Sequence, residues 1–419
     1  MTRITRREFL EGAVLATAAG FTGIENGGRP SVEAAVAREK LPIAAVVTEY
    51  RNNSHADVIV GKVLEGWRQD GKAGPDLRLV SLYTDQVPKS DMSRGLAKKH
   101  GFPIVDSIEQ SIVGPAGKDK IHGVLSIGEH GNYPYTKTTR QHMYPRRRFF
   151  DAIVAAMQKQ GEIVPVFSDK HLSYRFSDAL HMYNTARKLK IPFMAGSSLP
   201  VCWRYPALML EQGVEIEEAL AVGYGGLESY GFHALETLQC MNERRQGGEA
   251  GVGAVRAVQG KEIWKTEAAG KWSVELLEAA FNVLPPKQRP QRAIREGLAA
   301  QAAVYLLEHR DGFRSSVVMA NGLTNQFAFA AKIKGRKEPV ATWFRLEEGK
   351  PFGHFEHLLR GIEHMFHSGR PAYPVERTLL TTGVLDRVMH SVAQGGKRLA
   401  TPELAIAYRP TEWGFANRP

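Results

Sequence analysis

Val164-Pro165-Val166-Phe167-Ser168-Asp169-Lys170-His171 is an apolar run that ends abruptly in an acid, a lysine and a histidine. A buried strand whose carboxyl end opens into a cleft reads this way, and open α/β sheets put their ligands at that end. Lys170, beside Asp169, is therefore the first candidate for chemistry. A lysine at a sheet mouth can give or take a proton once partial burial lowers its pKa. A solvated loop lysine is the competing reading, and on these residues alone it is the stronger one.

Working outward from this stretch, strand and helix alternate. Pro42 to Val47 is a continuous apolar run, and Ser54 to Trp67 carries Val58, Ile59, Val63 and Leu64 at helical spacing. Leu77 to Leu82 reads as a strand, Ser90 to His100 as a helix and Gly123 to Ile127 as a third strand. A helix from Phe149 to Gln160 feeds the strand ending at Asp169, and one from Ser177 to Leu189 leads to Pro192-Phe193-Met194-Ala195. The pattern predicts an α/β fold with a doubly wound parallel sheet covered on both faces.

After Ser197-Ser198-Leu199-Pro200 the pattern changes. Val214 to Tyr224, Ala303 to Met319 with a fold-back at Asp311-Gly312, Phe327 to Ile333 and Val340 to Leu346 are strand-like. Helices at Tyr230 to Arg244 and Ser273 to Asn282 accompany them, and Pro285 to Pro290 reads as an exposed connection. This predicts a C-terminal α+β domain on a mostly antiparallel open sheet. One face would carry helices and the other would be free to pair subunits in a homo-oligomer.

The N-terminus reads as an export leader. Thr5-Arg6-Arg7-Glu8-Phe9-Leu10 precedes an uncharged Ala/Gly-rich run from Gly12 to Gly23, too short for a mature membrane span, and Ala35-Val36-Ala37 has the small-x-small cleavage pattern. It resembles a twin-arginine signal over residues 1–37, and the expectation is an exported, periplasmic chain. The chain beyond this leader is too long for one compact core, which suggests domains at 38–198 and 199–419. The formal charge is +11, yet Pro145-Arg146-Arg147-Arg148 is the only tight basic cluster after the leader, and no nucleic-acid motif accompanies it. Cys202 and Cys240 have neither framework nor metal-ligand spacing.

Several segments together resemble the glucose-fructose oxidoreductase, inositol dehydrogenase and MocA family. Leu79 to His100, ending Ala97-Lys98-Lys99-His100-Gly101, is similar to its second strand and helix. Asp169-Lys170-His171 looks like its Glu-Lys-Pro motif, and Gly231-Phe232-His233-Ala234-Leu235-Glu236 like its Gly-x-His-x-Leu-Asp motif. The tail from Pro371 through Glu376, Ser391 and Gly396-Lys397-Arg398 to Pro402 resembles its closing helix and strand. The resemblance implies a Rossmann-like first domain, NAD or NADP as cofactor, held or exchanged, and hydride transfer on a sugar or polyol. It also implies Lys170 and His233 as catalytic residues beside Asp169. The family's aspartate one turn before the histidine is Ser229 here, flanked by Glu228, so either Glu228 substitutes or the chemistry differs.

The first turn departs from the family pattern. A Gly-x-Gly-x-x-Gly fingerprint should follow the first strand, but Thr48-Glu49-Tyr50-Arg51-Asn52-Asn53-Ser54-His55 contains no glycine. Cofactor candidates are Thr48, Tyr50, Arg51, Asn52 and Ser54 at that turn, Asp85 or Tyr83 after the second strand, and Gly128 after the third. The polar, aromatic loop from Gly128 to Tyr144 suits a sugar, and Glu129, His130, Tyr133, Arg140 and His142, with His171, are the substrate-binding candidates. His354, His357, His364 and His367 follow helical spacing without a matching carboxylate or cysteine set, and read as a helix face rather than a metal site. Two further functions stay open: a redox-neutral elimination or glycoside cleavage on a retained nucleotide, and a non-catalytic carbohydrate-binding protein on a degenerate scaffold.

Overall fold

The computed structural model describes residues 40–114, 120–298 and 300–418. The leader and its cleavage pattern lie outside them. The first sheet is parallel, with strands β1 (Leu41–Val47), β2 (Leu77–Thr84), β3 (Ile104–Val105), β4 (Val124–Ile127), β5 (Val166–Asp169) and β6 (Phe193–Gly196) in the order β3-β2-β1-β4-β5-β6. Its helices are α1 (His55–Glu65), α2 (Ser93–His100), α3 (Ile108–Val113), α4 (Arg146–Gln160) and α5 (Phe176–Leu189). Two of these elements were not expected: β3 is a two-residue edge strand and α3 a six-residue helix, both too short to carry a periodic signal. The 124–127 strand is consequently the fourth.

Alternate residues of these strands go to opposite faces, and both faces are covered. Ala44, Val46, Val124 and Val166 pack with Phe149, Ile153, Ala179 and Met182 of α4 and α5. Ile43, Ala45, Val47 and Leu125 pack with Val58 and Ile59 of α1. The same layer contains Leu358, Ile362 and Met365 from a helix far along the chain.

The second sheet holds β7 (Trp203–Tyr205), β8 (Ile216–Gly223), β9 (Val252–Gln259), β10 (Ala303–His309), β11 (Arg314–Met319), β12 (Phe327–Ile333), β13 (Val340–Arg345) and β14 (Leu399–Ala400). Their order is β14-β9-β10-β11-β8-β12-β13-β7; β11 and β8 run parallel and the other pairs antiparallel. The hairpin at Asp311-Gly312 is present, with Gly312 at φ +84° and Glu308 opposite Arg314. Around this sheet lie α6 (Ser229–Asn242), α7 (Lys261–Ala268), α8 (Val274–Asn282), α9 (Ile294–Gly297), α10 (His354–Ser368) and α11 (Val375–Ala393).

The expectation of a free sheet face does not hold. Leu220, Val222, Val304, Val318, Ala328 and Ala330 on the outer face are buried beneath Ile263 of α7, Trp272, and Leu276, Leu277 and Phe281 of α8. On the inner face α6 and α11 are joined by a buried ion pair. Arg377 donates to both carboxylate oxygens of Glu243 at 2.9 and 2.5 Å, and the Tyr408 hydroxyl donates to the same group at 2.8 Å. Leu358, Ile362 and Met365 belong to α10, which thus leaves the second sheet's part of the sequence to close one face of the first.

Candidate active site

The carboxyl ends of β1, β4 and β5 meet α6 and α10 around a cavity of about 660 Å³. Lys170 is on its wall, at φ +63°, a backbone conformation unfavourable for a residue with a Cβ by about 1–2 kcal/mol. The Lys170 N–H donates to Gly196 O at 3.1 Å, and its ammonium donates to Glu129 Oε1 and to the Ser229 carbonyl, each at 3.2 Å. The turn sends consecutive side chains to different partners. Asp169 meets His55 and Lys170 meets Glu129.

Glu129 is the buried centre of this cluster. Burial opposes its ionised form, but the Lys170 and Arg146 charges outweigh that and hold its carboxyl well below the usual range. Arg146 is 1 % exposed and pairs with Glu129, so the first arginine of the basic cluster belongs to the interior and not to a solvated face. Gly128 lets it pass: a Cβ there would lie 2.6 Å from Arg146 Cγ. That glycine serves the arginine rather than a phosphate cradle.

His233 lies on the cavity wall with Tyr230 and Phe327 beside its ring, and its Nδ1 is buried without a partner. Burial, then the Lys170 charge, pushes its pKa well down. Glu228 does not turn to it. The Glu228 carboxylate accepts the His142 N–H at 2.8 and 3.0 Å and lines a neighbouring chamber of about 500 Å³. Burial raises its pKa to about 7. Arg140, His142 and His171 reach this second chamber, which shares Glu129, Lys170 and Ser229 with the first. Tyr135 stacks on His142 with ring centroids 4.2 Å apart, and His142 meets Tyr144 at 4.0 Å with the rings tilted by 32°. His130 faces the first chamber, where burial and the nearby His55 lower its pKa to about 3.

The glycine-free turn holds its own side chains. Thr48 Oγ1 donates to Glu129 O, Tyr50 is fully buried in the layer under α10, and Arg51 donates to Glu49 at 2.6 Å. Ser54 caps α1 by accepting from Asp57 N, and the Asn53 N–H donates to the Asp57 carboxylate at 2.8 Å. A carboxylate of the chain itself therefore occupies the helix end that would attract a phosphate. Asn52 is exposed beside it.

Beyond the turn, the groove over β1 is bridged. β1 lies between β2 and β4, and the loop after β4 reaches across it: Tyr133 donates to Asp85 at 2.6 Å, while Asn132 and Gln86 exchange bonds of 2.8 and 3.0 Å. Arg148 and Tyr83 also donate to Asp85, at 2.6 and 2.8 Å. Both Asp85 oxygens thus already accept hydrogen bonds from the chain itself, two on Oδ2 and one on Oδ1, and Tyr133 faces Asp85 instead of either chamber. As arranged, these residues do not fit a dinucleotide laid over β1.

The histidines of α10 separate. His354 Nδ1 accepts Glu347 N–H, His357 packs on Trp203, His364 on Trp413, and His367 bonds Asp76 O. Of the residues the sequence pattern did not single out, His55 is the important one. It lines the first chamber, and its Nδ1 is 2.6 Å from Asp169 Oδ2. Its only signal was a histidine opening a helix beside a sheet mouth.

No family model matches the sequence, and no curated protein matches it. Solved structures do. GenD2 from gentamicin A biosynthesis, in complex with NAD, is 13% identical over 90% of this chain and 99% of its own, with a TM-score of 0.54. A myo-inositol dehydrogenase from Corynebacterium glutamicum is 12% identical over 86% and 98%, TM-score 0.52. An oxidoreductase from Agrobacterium radiobacter, in complex with NAD+, L-tartaric acid and magnesium, is 13% identical over 86% and 98%, TM-score 0.51. The fold is that of these dehydrogenases. The two sheets and their order along the chain agree with the resemblance read from Asp169-Lys170-His171 and Gly231 to Glu236. No helix among the described residues is long and apolar enough to cross a membrane.

Proposed function

We propose that this chain binds a sugar or polyol in the chamber around Lys170 and moves the proton of one of its hydroxyls, the protein's share of an oxidoreductase reaction. The observation that carries the reading is Lys170 at the end of β5, held in a strained turn and facing His233 across one cavity. An ammonium there stabilises a developing alkoxide, and an imidazole lining the same chamber can take the proton. The adjoining rings of Tyr135, His142 and Tyr144 and the proton-retaining Glu228 suit a hydroxyl-rich molecule extending into the second chamber.

NAD or NADP is the cofactor class that the NAD-bound relatives support for this scaffold. It would accept the hydride. The bridge over β1 does not fit it as it stands, so the steps given to the protein are confined to proton movement. That same bridge favours a second reading, in which the cleft binds carbohydrate or performs redox-neutral chemistry. Calorimetric titration with NAD, NADP, myo-inositol and glucose separates the two. Saturable nucleotide binding together with polyol oxidation supports hydride transfer. Polyol binding without nucleotide supports the second reading, and binding of neither overturns both. Lys170→Ala should lower turnover about 10²- to 10⁴-fold with the fold intact, and unchanged turnover sinks the assigned site. Export by the twin-arginine route is part of the proposal, and N-terminal sequencing of periplasmic protein should find Arg38 first.

A further inference from the structure

A carboxylate is missing where the resemblance would place one for His233: the position one turn earlier is Ser229, and Glu228 is held by the His142 N–H. A carboxylate–histidine pair exists on the opposite wall of the same chamber. Asp169 is fully buried at the end of β5, and its Oδ2 lies 2.6 Å from Nδ1 of His55, the first residue of α1. The His55 side chain is 15 % exposed and lines the cavity with Lys170. Its ring is fixed by edge contacts to Phe355 of α10 at 5.2 Å and to His130 at 5.3 Å.

Resting on the reading of this chamber as a proton-transfer site, we propose that His55 is the proton acceptor of the cleft, with Asp169 as its positioning residue. An ionised carboxylate accepts only from a protonated nitrogen, so Asp169 selects the Nδ1–H tautomer. This leaves the Nε2 lone pair as the free basic atom of the ring. In the step, the substrate O–H bond breaks, an Nε2–H bond forms, and the electron pair stays on oxygen as an alkoxide beside the Lys170 ammonium. The Asp169 carboxylate, 2.6 Å from Nδ1, stabilises the imidazolium, as in a hydrolase triad. The other groups around His55 do not replace it. Glu129 is ionised and bound to Lys170 and Arg146, and burial first, then nearby positive charge, lowers the pKa of His130, His233 and His354. The segment that cradles a pyrophosphate in the resembling family would here supply a base.

The test combines a spectroscopic and a kinetic arm on the full chain. In ¹⁵N-histidine NMR at pH 8, His55 should show protonated Nδ1 and unprotonated Nε2, and Asp169→Asn should abolish that preference. An Nε2–H tautomer in the unsubstituted protein overturns the proposal. With myo-inositol or glucose as the probe, His55→Gln and His55→Asn should each lower kcat by about 10²- to 10⁴-fold while KM changes little. Asp169→Asn should do the same and displace the acid limb of the pH profile. Normal kcat in the His55 variants, with turnover still lost in Lys170→Ala, overturns this inference and leaves the proposed function standing. If neither polyol is bound or turned over, the proposed function fails and the tautomer measurement alone decides the pair.

Discussion

At the scale of single residues, the decisive feature is how many polar side chains near β1 already have partners. Tyr133 is the clearest case, since its hydroxyl closes the span between the β4 loop and Asp85. A hydrogen bond to a charged acceptor contributes about 1.5–3 kcal/mol net, and a nucleotide lying over β1 would have to break this one. Tyr133→Phe should therefore tighten NAD or NADP binding by roughly tenfold or more, read by calorimetry. Equal affinity in the two proteins would show that the bridge and the nucleotide do not compete. The place of Asp169 and Lys170 at the mouth of the first sheet was legible in the break of polarity that ends β5, and the place of His233 on the cavity wall followed from the resemblance of Gly231 to Glu236. The roles of Thr48, Tyr50 and Asp85 were not legible. Whether a side chain faces a ligand or its own chain depends on neighbours distant in sequence, such as Glu129 for Thr48 and Arg148 for Asp85.

At the scale of elements, long periodic segments could be read well and short ones could not. The helices from Phe149 and Ser177, and the strands at 303–319, 327–333 and 340–346, carry apolar spacing over many residues. β3 and α3 do not: β3 is a two-residue edge strand, and α3 is a six-residue helix that buries only Ile108, Ser111 and Ile112. The covered outer face of the second sheet was hidden for a different reason: periodicity shows that α8 has an apolar side, not which surface receives it. The contact between α6 and α11 makes a quantitative case. Arg377→Met would leave the Glu243 carboxylate buried with only the Tyr408 hydroxyl as partner. The expected loss is about 3–5 kcal/mol, measured as a lower midpoint in urea. A change below about 1 kcal/mol would mean that the buried pair contributes no more than a surface one.

At the scale of the whole molecule, buried titratable groups set the dependence of stability on pH. Burial first, then neighbouring positive charge, lowers the pKa of His130 and His354 to about 3, and of His171 and His233 well below the ordinary value. Below pH 6.5 the unfolded chain binds protons at these four residues that the folded chain refuses, so they make stability rise with pH. Glu228 and Glu236 act oppositely. Burial raises each to about 7, so between about pH 4.5 and 7 they hold protons in the fold that the unfolded chain has released, and stability falls with pH. The four histidines outnumber the two glutamates. The urea midpoint should therefore climb from pH 4.5, flatten above 6.5 and level off near 7, and a midpoint that falls across the lower interval would contradict the histidine assignments. Finally, α10 has a consequence in time. The ribosome completes the first sheet's strands by Gly196, yet the cover that α10 adds beside α1 on one face arrives only with His354 to Ser368. For more than a hundred residues of synthesis the nascent chain carries that face only partly covered, so a chain truncated before His354 should expose apolar surface there.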